Sequence, residues 1–151
     1  MKILVLAFLF PLVFYPQSSK YFFVQTELDP RNALVGGTVN EAGYNGVFKA
    51  GFSNKWFRAG AFFETFPKIH YNSVGVNLTG LLNYDKKFQQ GAGIQISIID
   101  KPKKSTPSLG VNGILEYHFG QFFASTRAEL KMRTDWDITV FSGFVGVGYK
   151  I

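Results

Sequence analysis

The feature that most constrains the fold of this chain is an alternation of apolar and polar residues, which runs with a period of two from residue 20 to residue 151. This period is typical of β-strands with one apolar and one polar face. Turn sequences interrupt it at nearly equal intervals. The tight turns are Ser53–Lys55, Asp85–Lys87 and Phe119–Gln121, and between them lie the connections Pro67–His70, Asp100–Pro107 and Thr134-Asp135. Such regularity predicts a meander in which each strand pairs with its sequence neighbour.

Counting back from the C-terminus gives eight strands. We expect them at 136–151, 122–133, 108–118, 88–99, 72–84, 56–66, 43–52 and 20–30. A connection falls near Gly36-Gly37, and the segment 31–43 is either a long loop or an extension of the first two strands. The strand lengths match the roughly 9–11 residues that cross a bilayer at a tilt. The predicted fold class is all-β, an eight-stranded antiparallel up-and-down transmembrane β-barrel over residues 20–151.

The content of the two strand faces indicates which one points outward. One face is bulky and apolar and has no charge over its central part, with members such as Phe22, Val24, Phe48, Phe63, Val74, Val76, Ile94, Ile96, Ile98, Val111, Leu130, Phe141 and Val147. The other is small and polar, with members such as Gly51, Gly60, Ser73, Gly75, Asn77, Gly91, Gly93, Gln95, Gly110 and Asn112. Glycine and asparagine form strands poorly, so a cramped lumen explains them better than a water-facing surface. The apolar face is predicted to contact lipid.

Aromatic residues are concentrated beside the tight turns and near the chain end. This group is Phe52, Trp56, Phe57, Tyr84, Phe88, Tyr117, Phe119, Phe122, Phe123 and Tyr149. We expect it to form an aromatic girdle at one membrane interface. A second girdle is predicted from Tyr44, Phe66, Tyr71 and Trp136.

Charged residues also fall on the lumen-facing parity, four acids and four bases in all. They are Glu27, Lys49, Arg58, Glu64, Glu116, Arg127, Glu129 and Lys131. Charges in a narrow, dry lumen are costly unless they are paired, and equal numbers allow pairing. We predict a network that packs and plugs the barrel; the alternative is a narrow, gated ion or proton path.

Residues 1–16 have the pattern of a secretory signal peptide. Lys2 supplies the positive start and Ile3–Phe14 the apolar stretch, which is shorter than the roughly 20 residues of a membrane-spanning helix. We place the cleavage within 16–20; a retained anchor helix is the alternative. The chain has no cysteine, which excludes disulfides, thiolate metal sites and a lipidated N-terminal cysteine.

From the strand number, the alternation of turns and the last strand, Phe141–Ile151, the chain resembles the small outer-membrane barrels of the OmpA/OmpX type. The resemblance implies a place in the outer membrane of a Gram-negative cell. It also implies contact with membrane lipids, including lipopolysaccharide, and insertion by the outer-membrane assembly machinery. Family members commonly end on an aromatic residue, whereas this chain ends Gly148–Ile151, with Tyr149 close by. Its Phe- and Gly-rich style resembles proteins of the Bacteroidota.

Because family barrels include lipid A-modifying hydrolases and acyltransferases, a catalytic site has to be considered. Ser125 and Glu129 are near His118 in the sequence and share a lumen-facing parity, which makes a Ser-His-Glu arrangement conceivable. The deacylase members carry an H-x-S-N motif, however, and here Phe119-Gly-Gln follows His118. His70 is predicted to be a loop residue. We predict no enzyme, no cofactor, no metal site and no nucleic-acid partner.

The sequence thus favours a structural or interaction protein that is anchored in the membrane as a barrel with a charge-plugged lumen. Its partner at the cell surface is unknown. Its surface loop is predicted to carry Lys101, Lys103 and Lys104. The alternatives are a narrow gated pore, a soluble lipocalin-like lipid binder with its apolar face inward, and a lipid A-modifying enzyme.

Overall fold

A computed structural model describes residues 20–34, 43–82, 87–101, 104–134 and 137–151 and shows eight antiparallel strands closed into a barrel. The strands are β1 (Tyr21–Leu28), β2 (Gly46–Ser53), β3 (Phe57–Phe66), β4 (Tyr71–Leu82), β5 (Phe88–Lys101), β6 (Lys104–Phe119), β7 (Phe122–Arg133) and β8 (Ile138–Lys150). Each strand pairs with the next one along the chain, and β8 pairs with β1. The predicted fold class is confirmed.

The strand register sets the tilt of the barrel. If each residue is followed to its paired partner on the next strand, starting at Phe88 of β5, the path around the barrel returns to β5 at Ile98. The register is thus staggered by ten residues around the barrel. A stagger of this size in eight strands corresponds to a tilt of roughly 40° and a lumen that side chains just fill. The connections β2–β3, β4–β5 and β6–β7 lie at the same end as the start of β1 and the end of β8, here called the turn end; the other connections lie at the loop end.

The hairpin of β5 and β6 is longer than the sequence predicted. Asp100–Pro107 was expected as a connection, but the strands continue until Lys101 pairs with Lys104. A connection was predicted here because proline interrupts a central strand and Pro107 lies in this segment. It is tolerated here because β6 begins to pair with β7 only at Ser108, so Pro107 stands on a free edge. The predicted surface loop is therefore a hairpin tip; Lys103 and the side chains of Lys101 and Lys104 lie outside the described part.

The segment that follows β1 begins with a short helix, α1 (Pro30–Leu34), rather than with a loop or a strand extension. Asp29 caps it: its carboxylate accepts hydrogen bonds from the backbone N–H groups of Arg31 (2.9 Å) and Asn32 (3.1 Å). An Asp followed by a Pro is a strong start signal for a helix. The rest of this connection, 35–42 with Gly36-Gly37, and the expected signal peptide with its cleavage site fall outside the described residues.

The orientation of the strand faces agrees with the sequence interpretation. The apolar face points outward; Phe22 is 63% exposed, and Val74, Val76, Ile98 and Phe141 are exposed to a similar extent. The polar face points into the barrel, where Ser73, Gln95 and Ser97 are buried. The described residues contain no helix with the length and apolar character needed to cross a bilayer.

The aromatic girdles are partly corrected by the structure. At the turn end, Trp56, Phe88, Tyr117 and Phe119 are exposed as predicted, but Phe123 is fully buried in the lumen. At the loop end, Tyr44 is exposed, whereas Phe66 and Tyr71 are buried inside. These three rings lie on inward-facing strand positions, and their nearness to a turn did not outweigh the alternation. Tyr84 and Trp136 lie outside the described part of the chain.

Candidate functional site: the charged lumen

All eight charged residues of the predicted network lie inside the barrel, each between 1% and 8% exposed. They come from five of the eight strands, because the alternation of each strand directs every second side chain inward. The contacts divide them into three clusters that follow one another along the barrel axis. We call these the turn-end, central and loop-end clusters.

The central cluster is built around the carboxylate of Glu27 on β1. One oxygen accepts from the ammonium group of Lys49 at 2.9 Å, and the other from the guanidinium group of Arg127 at 2.8 Å. Arg127 also pairs with Glu129 on its own strand. Because each carboxylate meets at least one cation, the buried charges compensate one another.

Amide and aromatic side chains complete the central cluster. The Gln25 amide donates to Glu27 at 2.9 Å and to the Ser125 hydroxyl at 2.8 Å, and the Gln95 amide donates to Glu129. The guanidinium of Arg127 lies 4.1 Å from the ring centroid of Phe144. The ionic groups thus have polar and aromatic neighbours inside the lumen.

The turn-end cluster is centred on Arg58 of β3. Its guanidinium pairs with Glu116 and donates to the Tyr21 hydroxyl at 3.1 Å. It also stands 4.7 Å from the ring centroid of Phe23 and 5.0 Å from that of Phe123. A cation that lies over two neighbouring phenyl rings and pairs with a carboxylate thus occupies this end of the lumen.

The loop-end cluster joins β3, β4 and β7. The Lys131 ammonium donates to Glu64 at 2.7 Å and to the Tyr71 hydroxyl at 2.9 Å, and that hydroxyl donates to Glu64 at 3.1 Å. Asn45 adds a long hydrogen bond to Glu64, at 3.4 Å. The guanidinium of Arg133 lies 4.6 Å from the Tyr71 ring centroid.

Several members of these clusters were not predicted from the sequence. Arg133 is buried and continues the inward series of β7, so the alternation already identifies it. Tyr21 and Phe23 occupy inward positions of β1 in the same way. Neither ring has the charge or the small size from which the lumen-facing positions were predicted.

The catalytic arrangement considered for His118 does not form. The His118 ring lies 3.2 Å from Glu116 and stacks on Phe123, Ser125 accepts from Gln25, and Glu129 pairs with Arg127. His70 is exposed in the β3–β4 connection with a left-handed backbone (φ 51°). Within the described ranges, no group of three His, Cys, Asp or Glu side chains is placed to hold a metal ion.

No protein-family model matches the chain, and no curated protein sequence matches it. Solved structures are similar in fold. A de novo designed transmembrane β-barrel has a TM-score of 0.59 and 12% identity, covering 91% of this chain and 100% of its own. The Yersinia pestis outer membrane protein Ail in a phospholipid bilayer nanodisc has a TM-score of 0.54 and 12% identity, covering 89% and 100%.

A crystal structure of Ail, the attachment invasion locus protein, in complex with the heparin analogue sucrose octasulfate has a TM-score of 0.50 and 12% identity. It covers 87% of this chain and 97% of that one. At this level of identity the likeness concerns the fold alone. The chain has the fold of small eight-stranded transmembrane β-barrels.

Proposed function

We propose that this chain is a small outer-membrane barrel that acts as a structural or interaction protein, anchored by its strands and plugged by the charged lumen. The observation that carries the proposal is the division between an apolar outer wall and an inner wall of paired charges. An exposed apolar surface this continuous is expected where the surroundings are lipid. A lipocalin-like binder needs the reverse arrangement, with its apolar side chains facing the lumen.

The proposal includes a route to the membrane. Residues 1–16 act as a signal peptide that is removed within 16–20, and residues 20–151 form the barrel of the OmpA/OmpX type. The assembly machinery inserts the barrel, and its wall then contacts membrane lipids, including lipopolysaccharide in the outer leaflet. Lys2 and the apolar stretch Ile3–Phe14 support this route. The Bacteroidota style of the composition stays a prediction, because no structural similarity bears on it.

The loop end is the part of the molecule that we propose faces a partner outside the cell. It carries α1, the β3–β4 connection and the tip of the β5–β6 hairpin with Lys101, Lys103 and Lys104. We propose no enzymatic activity, since His118 and Ser125 are each engaged in separate hydrogen bonds inside the lumen.

A narrow conducting path is the second candidate function, and one observation favours it. The inner surface of β4 and β5 carries small residues such as Gly75, Gly91 and Gly93. Among the described residues, the buried side-chain oxygens Asn77 Oδ1 and Ser97 Oγ on these strands have no hydrogen-bond partner. Buried polar atoms of this kind are commonly satisfied by water, and a line of water could carry protons or small ions.

Planar-bilayer conductance distinguishes the two functions. With the lumen plugged, the purified barrel is expected to give no single-channel steps above the lipid background at high salt. Reproducible steps in the native protein, with an ion selectivity that changes in Arg127→Gln, would replace the plugged barrel by the pore. Lys68→Gln, at an exposed loop-end position, is the control variant.

A further inference from the structure

The net charge of +6 is distributed unevenly over the molecule. The lumen holds the four acids and four bases of the network together with Arg133. In the sequence, the segments that join strands at the loop end contain five bases (Arg31, Lys68, Lys101, Lys103, Lys104) and five acids (Asp29, Glu41, Asp100, Asp135, Asp137). The segments that join or end strands at the turn end contain five lysines (Lys20, Lys55, Lys86, Lys87, Lys150) and a single acid, Asp85. Most of the excess positive charge is therefore at the turn end.

Two exposed lysines lie at the turn-end termini of the paired strands β1 and β2. Lys20 immediately precedes β1, and Lys55 follows β2, the strand that pairs with β1. Lys55 lies 4.7 Å over the ring centroid of Trp56, which is 69% exposed. A lysine next to an exposed tryptophan is typical of the level of a bilayer where headgroups meet acyl chains.

An apolar groove of about 680 Å³ runs along the outer wall below these lysines. Its floor includes Ala50 of β2 and Ala61 of β3, which pair directly. Phe48 and Phe63 rise on the side toward the loop end, and Tyr149 of β8 borders it next to β1. Strand rise is about 3.3 Å per residue, so Lys20 lies roughly 13 Å along β1 from the groove residue Val24.

We propose that the turn end of β1, β2 and β8 is a binding site for an anionic phospholipid. The phosphate group lies near Lys20 and Lys55, and an acyl chain occupies the groove over Ala50 and Ala61. An anionic lipid satisfies both halves of the site at once, because it has a negative headgroup and an apolar tail within reach of one another. The inference rests on the proposed membrane location and specifies what the turn end binds there.

The experiment uses Trp56 as the reporter. The Trp136→Phe variant leaves Trp56 as the single tryptophan, since the chain has two. The full barrel is reconstituted in phosphatidylcholine vesicles that contain either brominated phosphatidylglycerol or brominated phosphatidylcholine, and quenching of Trp56 is compared. A lysine near an anionic surface contributes about a fivefold preference. We expect quenching to show a preference of about fivefold or more for phosphatidylglycerol, which weakens in 1 M salt.

Matched variants divide the site into its parts. Lys20→Gln with Lys55→Gln is expected to bring the preference close to one, and Ala61→Leu, which fills the groove, is expected to lower it with the lysines in place. Lys68→Gln at the loop end is expected to leave it unchanged. Equal quenching by both lipids in the parent protein, or a preference that survives both lysine substitutions, would overturn the site. If neither brominated lipid quenches Trp56, the barrel is not in the bilayer, and the proposed function fails together with the site.

Discussion

At the scale of single residues, Glu64 and Lys131 show how the barrel keeps charges inside. Their side chains meet at 2.7 Å across the lumen, and the Tyr71 hydroxyl contacts both. Taking a carboxylate or an ammonium group out of water costs several kcal/mol, and only a well-placed partner offsets this cost. The stability of the loop-end cluster therefore depends on both charges being present.

A double-mutant cycle tests this dependence. Lys131→Met leaves Glu64 buried without its cation, and we expect it to lower the free energy of unfolding by about 3–5 kcal/mol. Lys131→Met combined with Glu64→Gln removes both charges, and we expect it to recover a large part of that loss. The measurement is the urea unfolding midpoint of the barrel in vesicles.

Lys68→Gln, at an exposed loop-end position, is the control and should shift unfolding by no more than about 0.5 kcal/mol. If Lys131→Met is as mild as this control, Lys131 does not form a buried ion pair.

Strand alternation alone places the eight network charges on the inner face, because each lies an even number of positions from its inward neighbours. Which charge meets which could not be predicted. Glu27 reaches Arg127, 100 positions away in the chain, only because β1 closes against β8 and β7 lies next to it. The same closure brings Phe23 and Phe123 into contact with each other beside Arg58.

At the scale of strands, two glycines differ in the space that is available for a side chain. A Cβ at Gly51 of β2 would collide with the backbone of Ala59 and Gly60 on β3, whereas a Cβ at Gly143 of β8 meets nothing within 4 Å. Gly51→Ala is therefore expected to cost about 1–3 kcal/mol, since the strands must separate. Gly143→Ala is expected to be neutral or to stabilise by about 0.4–1 kcal/mol. Equal effects of the two substitutions on thermal unfolding would contradict this register.

The strand ends mark the limit of what the sequence predicts. β7 has the predicted bounds, Phe122–Arg133, because clear turn residues stand at both of its ends. β5 and β6 run past their predicted ends, because hairpin pairing continues through Pro107 where β6 has no neighbour on its β7 side. A residue's own preference does not show which of its strand's edges is free.

At the scale of the whole molecule, the two ends are expected to face different compartments. Outer-membrane barrels keep short turns in the periplasm and place longer connections outside. With an impermeant amine reagent on whole cells, we therefore expect Lys101, Lys103 and Lys104 to be labelled. Lys55, Lys86 and Lys87 at the turn end serve as the internal control and should react only after lysis. The reverse pattern would mean that the barrel is inserted with the opposite orientation.

Membrane fractionation tests the central claim most directly. Cells that express the full chain are separated into soluble, inner-membrane and outer-membrane fractions, and the protein is run on SDS gels with and without boiling. A barrel with an apolar outer wall is expected in the outer-membrane fraction, with a migration that changes on boiling as the closed sheet unfolds. Recovery as a detergent-free monomer in the periplasm would contradict the account.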